Sequence, residues 1–216
     1  MMTRKSNDGF LGKTVLAGSA AFIIFCLASC GANGVSVSLD PKAPSEGNFK
    51  KAIDEYLAAH ERDGKACIGF EGLPPFKVYT TTKDPQKQDP QYKRFEAAGL
   101  LRFAGVSGQE AKFEATEAGR KVFVPDPDDP IRAHACWANY RVDTVVKWFN
   151  HPEDNSMAVN WTYKMTDLVD WAKRPEIASA EPDIHVRLDQ AGKETRGALL
   201  KLSNTGWECT VVTNAF

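Results

Sequence analysis

The cysteines and histidines carry the most reactive side chains of this chain, which has five of the first and four of the second. His134 stands two residues before Cys136, a spacing at which an imidazole and a thiol can form a nucleophilic pair. Cys67, Cys136 and Cys209 allow three single disulfide pairings and leave one thiol over. We expect the pair Cys67–Cys136, because Cys67 follows a predicted helix and Cys136 opens a predicted strand. The alternatives are another pair, the nucleophilic pair, or three small buried side chains.

The sequence signatures of common enzymes and metal sites are missing. No HExxH or CxxC pattern is present, and neither is a GxSxG elbow or an SxxK motif. Asp126, Asp128 and Asp129 offer carboxylates to Ca²⁺, but prolines hold them in an extended run without the turn glycine and distal glutamate that Ca²⁺ loops need. We therefore predict no catalytic residues, no cofactor and no metal site, and a solvated acidic connector over residues 125–135.

The N-terminal 30 residues have the organisation of an export signal. Arg4, Lys5 and Lys13 give a basic start, and residues 14–27 form an apolar run without a charge. This run is shorter than the roughly 20 apolar residues that a membrane span needs. The segment is therefore predicted to direct export and to lie outside the folded part of the protein.

The run ends in Leu27-Ala28-Ser29-Cys30, which resembles the lipobox of bacterial lipoproteins. The resemblance implies a signal peptide over residues 1–29 and acyl chains such as palmitate on Cys30, which would be the first mature residue. It also implies that the lipid is the protein's contact with the membrane. The alternatives are a cysteine near a signal by chance, as Cys26 illustrates, and an uncleaved anchor.

Two further expectations follow from the lipobox. Gly31 stands where an Asp often retains lipoproteins at the inner membrane, so family analogy implies the outer membrane, facing the periplasm. Residues 30–46 are small, polar and Pro-containing, and are expected to be a flexible lipidated tether. The cell envelope is an oxidising environment, which favours the disulfide over free thiols.

The charge of the mature chain excludes a nucleic-acid partner. The full chain has a formal net charge of −1. Loss of residues 1–29, with three basic residues and one acidic residue, leaves about −3. The basic surface that nucleic-acid binding requires is therefore absent from the sequence.

Residues 47–124 are predicted to form an N-terminal module. Asn48 can cap a helix over residues 49–62, and Asp89-Pro90 is a favourable start for a second helix, over residues 90–98. Gly99-Leu100-Leu101 and a hairpin follow, and then Thr116-Glu117-Ala118-Gly119-Arg120. This order resembles the last helix and wing of winged-helix domains over roughly 30 residues. It implies a winged-helix-like scaffold, without DNA binding.

Residues 136–216 are predicted to form an antiparallel α+β domain. Alternating apolar positions indicate a hairpin of two long strands, over residues 140–149 and 157–166. Two short helices and two further strands complete the order β-β-α-β-β, a four-stranded antiparallel sheet with short helices on one side.

Four short motifs carry a second resemblance, to uncharacterised proteobacterial lipoproteins, some of which are named as carbapenem intrinsic resistance proteins. They are Cys136-Trp137-Ala138-Asn139-Tyr140, Trp161-Thr162-Tyr163, Asp167-Leu168-Val169-Asp170-Trp171-Ala172 and Asn204-Thr205-Gly206-Trp207. The resemblance implies an envelope lipoprotein and assigns no mechanism to particular residues.

All five tryptophans lie in the C-terminal half, where they can fill a core or anchor a ligand. Trp171, beside Asp170 and Lys173 on a short helix, is the tryptophan that we expect to be partly exposed, and these three residues form the predicted ligand surface. The favoured function is a non-enzymatic envelope lipoprotein that binds a protein or cell-wall ligand, of the immunity, inhibitor or antibiotic-protection type. The alternatives are a structural accessory protein of an envelope complex and an enzyme of unrecognised type.

Overall fold

A computed structural model describes residues 40–84, 87–151, 155–178 and 181–216. The predicted signal peptide, Cys30 and most of the predicted tether lie outside the described residues.

Helices and strands are both well represented, so the predicted α+β class is confirmed. The helices are α1 (Glu46–Ala59), α2 (Glu61–Gly64), α3 (Pro90–Ala97), α4 (Pro175–Ala178) and α5 (Pro182–Gln190). The strands are β1 (Lys65–Phe70), β2 (Phe76–Tyr79), β3 (Leu101–Ser107), β4 (Glu110–Ala115), β5 (Val124–Pro125), β6 (Ala133–His151), β7 (Ser156–Thr166), β8 (Thr195–Leu202) and β9 (Trp207–Asn214). Two 3₁₀ turns, Gly119–Lys121 and Asp170–Lys173, complete the elements used below.

Among the described residues, the larger sheet contains six antiparallel strands instead of the four predicted. Strands β6 to β9 form the expected meander, and the sheet order is β1-β6-β7-β8-β9, with β5 paired to β6. The two additional strands join because β6 begins at Ala133 and runs for 19 residues. Its first part pairs with β1 and its later part with β7. A strand from the N-terminal half thus completes the C-terminal sheet.

The smaller sheet has the order β2-β4-β3 and packs with α3. The start of α3 follows the sequence prediction, since the Asp89 carboxylate accepts a hydrogen bond from the Gln91 amide at 2.8 Å, and Pro90 occupies the first turn. After the helix, Gly99 adopts a φ of 72°, a conformation that glycine reaches without strain. The Thr116 hydroxyl then donates to the Gly99 carbonyl at 2.8 Å, which ties the end of β4 to this turn.

An aromatic cluster joins the two sheets. Phe70, the last residue of β1, has its ring 5.5 Å from Phe76 of the small sheet, 4.9 Å from Phe95 of α3 and 5.0 Å from Phe123. All four side chains are buried. The contacts with Phe95 and Phe123 are edge to face, and such contacts add to the free energy of apolar burial. The N- and C-terminal halves therefore share one continuous core.

Helix α1 covers the larger sheet. Its N-cap is Ser45, and not Asn48 as predicted, because the Ser45 hydroxyl accepts from the Asn48 amide at 3.3 Å while the Asn48 side chain donates to backbone carbonyls before the helix. Further along, the Phe49 ring packs between Trp148, at 5.5 Å, and Trp207, at 5.3 Å. These contacts fix the first turns of the helix against β6 and β9.

Helix α1 also covers one edge of β6 where β1 has ended. The Asp54 carboxylate accepts from the Val142 amide at 2.8 Å, and the Lys50 ammonium donates to the Val142 carbonyl. The last β1 partner of β6 is Asn139, so these two side chains replace the backbone groups of a neighbouring strand. Buried backbone groups need such partners.

The predicted disulfide Cys67–Cys136 is confirmed. The two cysteines face each other directly across β1 and β6 and are 69 residues apart in sequence. The cross-link therefore fastens the N-terminal half of the chain to β6, the long strand that pairs with β1, β5 and β7.

We predict that replacing both Cys67 and Cys136 by Ser lowers the free energy of unfolding by about 4 kcal/mol, because the unfolded chain loses the constraint of a long closed loop. Urea unfolding followed by tryptophan fluorescence measures this quantity. The matched control is Cys209→Ser, which breaks no cross-link. Equal unfolding midpoints for the wild type and the double variant would contradict the prediction.

Candidate functional site

A cavity of about 440 Å³ lies against the disulfide, and we call it the disulfide groove. Its lining residues are Glu61, Arg62, Asp63, Lys65, Cys67, Asp126, Pro127, Asp128, Asp129, Arg132, His134, Tyr140, Arg187, Arg196 and Val212. This volume lies in the range of small-molecule binding sites. The lining combines carboxylates of α2 and of the segment before β6, together with basic residues of the same region, with two arginines from α5 and β8.

The acidic side of the groove is a folded turn, and not the extended connector that the sequence indicated. The Asp126 amide donates to the Arg132 carbonyl, and the Arg132 amide donates to the Asp129 carbonyl, both at 2.9 Å. The Asp128 carboxylate pairs with Arg62 of α2 at 3.2 Å. Because these acids already have protein partners, the turn acts as a wall of the groove.

The pKa of Asp126 lies below its ordinary value. The main cause is the hydrogen bond from the Asp128 amide, at 2.9 Å, and the Asp129 amide and His134 act in the same direction. Backbone amide donors stabilise the ionised form of a carboxyl group. Asp126 is therefore an anion at the mouth of the groove over the physiological pH range.

His134 is almost entirely buried beside the disulfide, with 5% of its surface exposed. Its Nδ1 lies 3.6 Å from the Asp126 carboxylate and its Nε2 lies 3.8 Å from the Glu61 carboxylate, both beyond hydrogen-bond distance. Nε2 has no hydrogen-bond partner among the described residues. One imidazole nitrogen and the sulfurs of Cys67 and Cys136 lie within 4.8 Å of one another.

The spacing of His134 and Cys136 suggested a nucleophilic pair as an alternative to the disulfide. The imidazole, a carboxylate and a sulfur do meet in one groove. The Cys136 sulfur, however, is bonded to Cys67, and a disulfide sulfur has no thiolate with which to attack a substrate. In this oxidation state the groove is better suited to binding than to covalent catalysis.

Two arginines of the groove lining lie against two buried tyrosines. The rings of Tyr140 and Tyr163 meet edge to face at 5.0 Å. The Arg196 guanidinium lies 4.2 Å from the Tyr140 centroid and 4.5 Å from the Tyr163 centroid. The Arg187 guanidinium donates to the Tyr140 hydroxyl. Stacking on the rings holds Arg196 in place while its N–H groups remain available to a ligand.

Tyr163 is a rigid neutral support. The Tyr163 hydroxyl lies 3.1 Å from the Glu194 carboxylate and 3.2 Å from the Arg187 carbonyl. Burial, and secondly the bond to Glu194, raises the pKa of Tyr163 well above its usual value. Within the described part of the chain, neither Arg187 nor Arg196 forms an ion pair with a carboxylate within 4.0 Å, so their charges are not neutralised by direct contact.

Trp171 was expected to be partly exposed, and this expectation is wrong. The indole is 7% exposed and packs on Phe95 of α3, with ring centroids 5.5 Å apart. The reason is the 3₁₀ geometry of residues 170–173, in which residues three apart share one face. Asp170 and Lys173 pair with each other at 3.1 Å on the outer face, which leaves Trp171 on the inner one.

The disulfide is predicted from the sequence, whereas Arg187 and Arg196 are not predicted as members of the site. Tyr140 and Tyr163 lie on the two strands of the predicted hairpin, and Arg196, a charged residue near the start of β8, gives only a weak signal. No sequence spacing links Arg187 of α5 to Tyr140 of β6.

Comparisons with protein-family models, with curated proteins and with solved structures gave no match. Among the described residues, no helix has the length and apolar character needed to cross a membrane.

Cys209 lies on β9 and is the free cysteine among the described residues. Burial is the main cause that raises the pKa of its thiol to about 12, and the thiol donates to the Val211 carbonyl at 3.6 Å. A raised pKa favours the neutral thiol, which is a poor nucleophile.

We predict that Cys209 of the folded protein reacts with iodoacetamide at pH 8 about 1,000-fold more slowly than an exposed thiol, because only about one molecule in 10,000 carries the thiolate. Mass spectrometry of the peptide that contains Cys209 measures the rate. The same protein in urea, without reductant, should react at the ordinary rate. Equal rates in the folded and unfolded states would show that burial does not protect this thiol.

Proposed function

We propose that this protein is a lipoprotein of the bacterial cell envelope, exported by residues 1–29 and acylated on Cys30. The proposal places it at the outer membrane, facing the periplasm. Two observations support it: the export and lipobox pattern of the first 30 residues, and the disulfide Cys67–Cys136. Disulfides form and persist in the periplasm and are rare in the cytosol.

The proposed activity is non-enzymatic binding of a ligand in the disulfide groove. The observation that carries it is the pair of guanidinium groups of Arg187 and Arg196, held on Tyr140 without direct carboxylate partners in the described part of the chain. Such a pair binds carboxylate or phosphate groups by charge-assisted hydrogen bonds. The winged-helix-like segment, α3 with the β3–β4 hairpin, serves in this proposal as a scaffold.

A cell-wall fragment is the ligand class that this chemistry favours. Peptide stems of the cell wall carry free carboxylates and amines, and the groove lining offers both the guanidinium groups of Arg187 and Arg196 and carboxylates, including the ionised Asp126. The groove volume accommodates a short segment of such a ligand and not a protein domain.

We predict that Cys30→Ser abolishes incorporation of labelled palmitate and releases the protein from the membrane fraction or leaves the uncleaved precursor. The reason is that the acyl chains are the proposed membrane anchor. Cys209→Ser is the control and should be labelled as the wild type is. Entry of labelled fatty acid into Cys30→Ser at the wild-type level would refute the lipobox assignment.

We predict that the full chain in detergent co-sediments with purified cell-wall sacculi, and that Arg196→Gln weakens this binding about tenfold or more. A hydrogen bond between charged groups contributes about 1.5–3 kcal/mol, which corresponds to that factor. Lys173→Gln is the control, because Lys173 is exposed and outside the groove. Circular dichroism verifies that both variants fold.

Equal binding of the wild type and Arg196→Gln would exclude the groove as the binding site. Absence of co-sedimentation, together with capture of a multi-subunit envelope complex by crosslinking, would replace the binding proposal with an accessory role.

A further inference from the structure

Three potential metal ligands lie on one face of two neighbouring strands. His134 and Cys136 are two residues apart on β6, so their side chains point to the same face of the sheet. Cys67 lies directly opposite Cys136 on β1. Directly opposed residues of an antiparallel pair also share a face. The result is the close group of one imidazole nitrogen and two sulfurs described above, whose ligand atoms lie within 4.8 Å of one another.

The state of His134 points to a ligand that is not part of the protein. The side chain is 6% exposed, and its Nε2 has no hydrogen-bond partner among the described residues. An unsatisfied buried nitrogen is costly, and most such groups in folded proteins have a partner. On the other side of the ring, Nδ1 faces the Asp126 carboxylate at 3.6 Å. A carboxylate behind the second nitrogen is the usual environment of a metal-ligating histidine.

We propose that reduction of the Cys67–Cys136 disulfide creates a metal site formed by the two cysteine sulfurs and His134. The metal that we propose for this site is Zn²⁺. Two thiolates and one imidazole are ligands that Zn²⁺ prefers. The fourth position is taken by water or by Glu61, whose carboxylate lies 3.8 Å from Nε2. The disulfide groove gives the metal ion a path to the site, since Cys67 and His134 both line it.

Reduction of the Cys67–Cys136 disulfide requires a reductant, and the reductant in this proposal is a dithiol. The dithiol is oxidised to its own disulfide and supplies two electrons and two protons. The S–S bond between Cys67 and Cys136 breaks and two thiols form. Binding of Zn²⁺ then releases the two thiol protons to solvent as the Zn–S bonds form. In the oxidised protein the sulfurs are bonded to each other and offer no thiolate, so metal binding is confined to the reduced state.

The test uses the full chain in detergent, reduced without oxygen by a phosphine, which does not compete for metal as a thiol would. Co²⁺ replaces Zn²⁺ as the probe, because thiolate-to-cobalt charge-transfer bands and the intensity of the visible bands report sulfur ligation and tetrahedral geometry. We expect one Co²⁺ per reduced chain, displaced by Zn²⁺, and no such bands for the oxidised protein.

Variants assign the ligands. The double variant Cys67→Ser/Cys136→Ser retains the free thiol of Cys209 and should lose the thiolate-to-cobalt bands. His134→Ala should weaken Co²⁺ binding by at least about tenfold, since loss of a supporting residue alone costs 10- to 100-fold. Cys209→Ser is the matched control and should bind as the wild type does. Equal binding by the wild type and the double variant, or by the wild type and His134→Ala, would overturn the proposal.

A second measurement covers the case in which reduction loosens the fold. Thermal unfolding of the reduced chain is followed by circular dichroism with and without Zn²⁺. Binding to the folded state raises the melting temperature, so Zn²⁺ should stabilise the reduced wild type and leave the double variant unchanged. A reduced wild type with the same melting behaviour in both conditions, or with no transition in either, would refute a folded metal site.

Discussion

The pairing of β1 with the first part of β6 is the interaction on which the rest of the structure depends. It brings residues from the N-terminal half into the C-terminal sheet, with Cys67 opposite Cys136 and Phe70 opposite Ala133. One face of this pair carries the disulfide and His134, and Phe70 reaches the aromatic cluster shared with α3. Without this pairing, the two sheets would have separate cores, and the disulfide groove would lose the part of its lining that β1 and β6 provide.

Sequence reasoning was most successful where local patterns determine the structure. The cap at Asp89, the turn at Gly99 and the β6–β7 hairpin follow from side-chain chemistry and alternation that neighbouring residues contain. The disulfide was predicted from the placement of Cys67 and Cys136 relative to their elements, and it is confirmed. The class α+β followed from the order of these elements.

The parts that sequence reasoning did not reach depend on contacts between distant segments. The residues of β1 have the composition of a short strand, but nothing local specifies β6 as its partner. Burial of Trp171 depends on Phe95, which lies in another helix. The arginine pair is assembled from α5 and β8 around a tyrosine of β6, so each member has an ordinary local sequence. Tertiary packing, and not propensity, decides all three.

The capping of Val142 by Asp54 and Lys50 has a consequence for how copies of this protein behave at high concentration. An open strand edge offers unpaired amides and carbonyls to a strand of another molecule and so promotes aggregation. Here the edge of β6 is occupied first by β1 and then by a carboxylate and an ammonium group from a helix. The Lys50 ammonium and the Asp54 carboxylate also form an ion pair at 3.5 Å. These charged groups occupy the position at which a second copy would have to add its own strand. The helix thereby protects this stretch of the long strand from self-association.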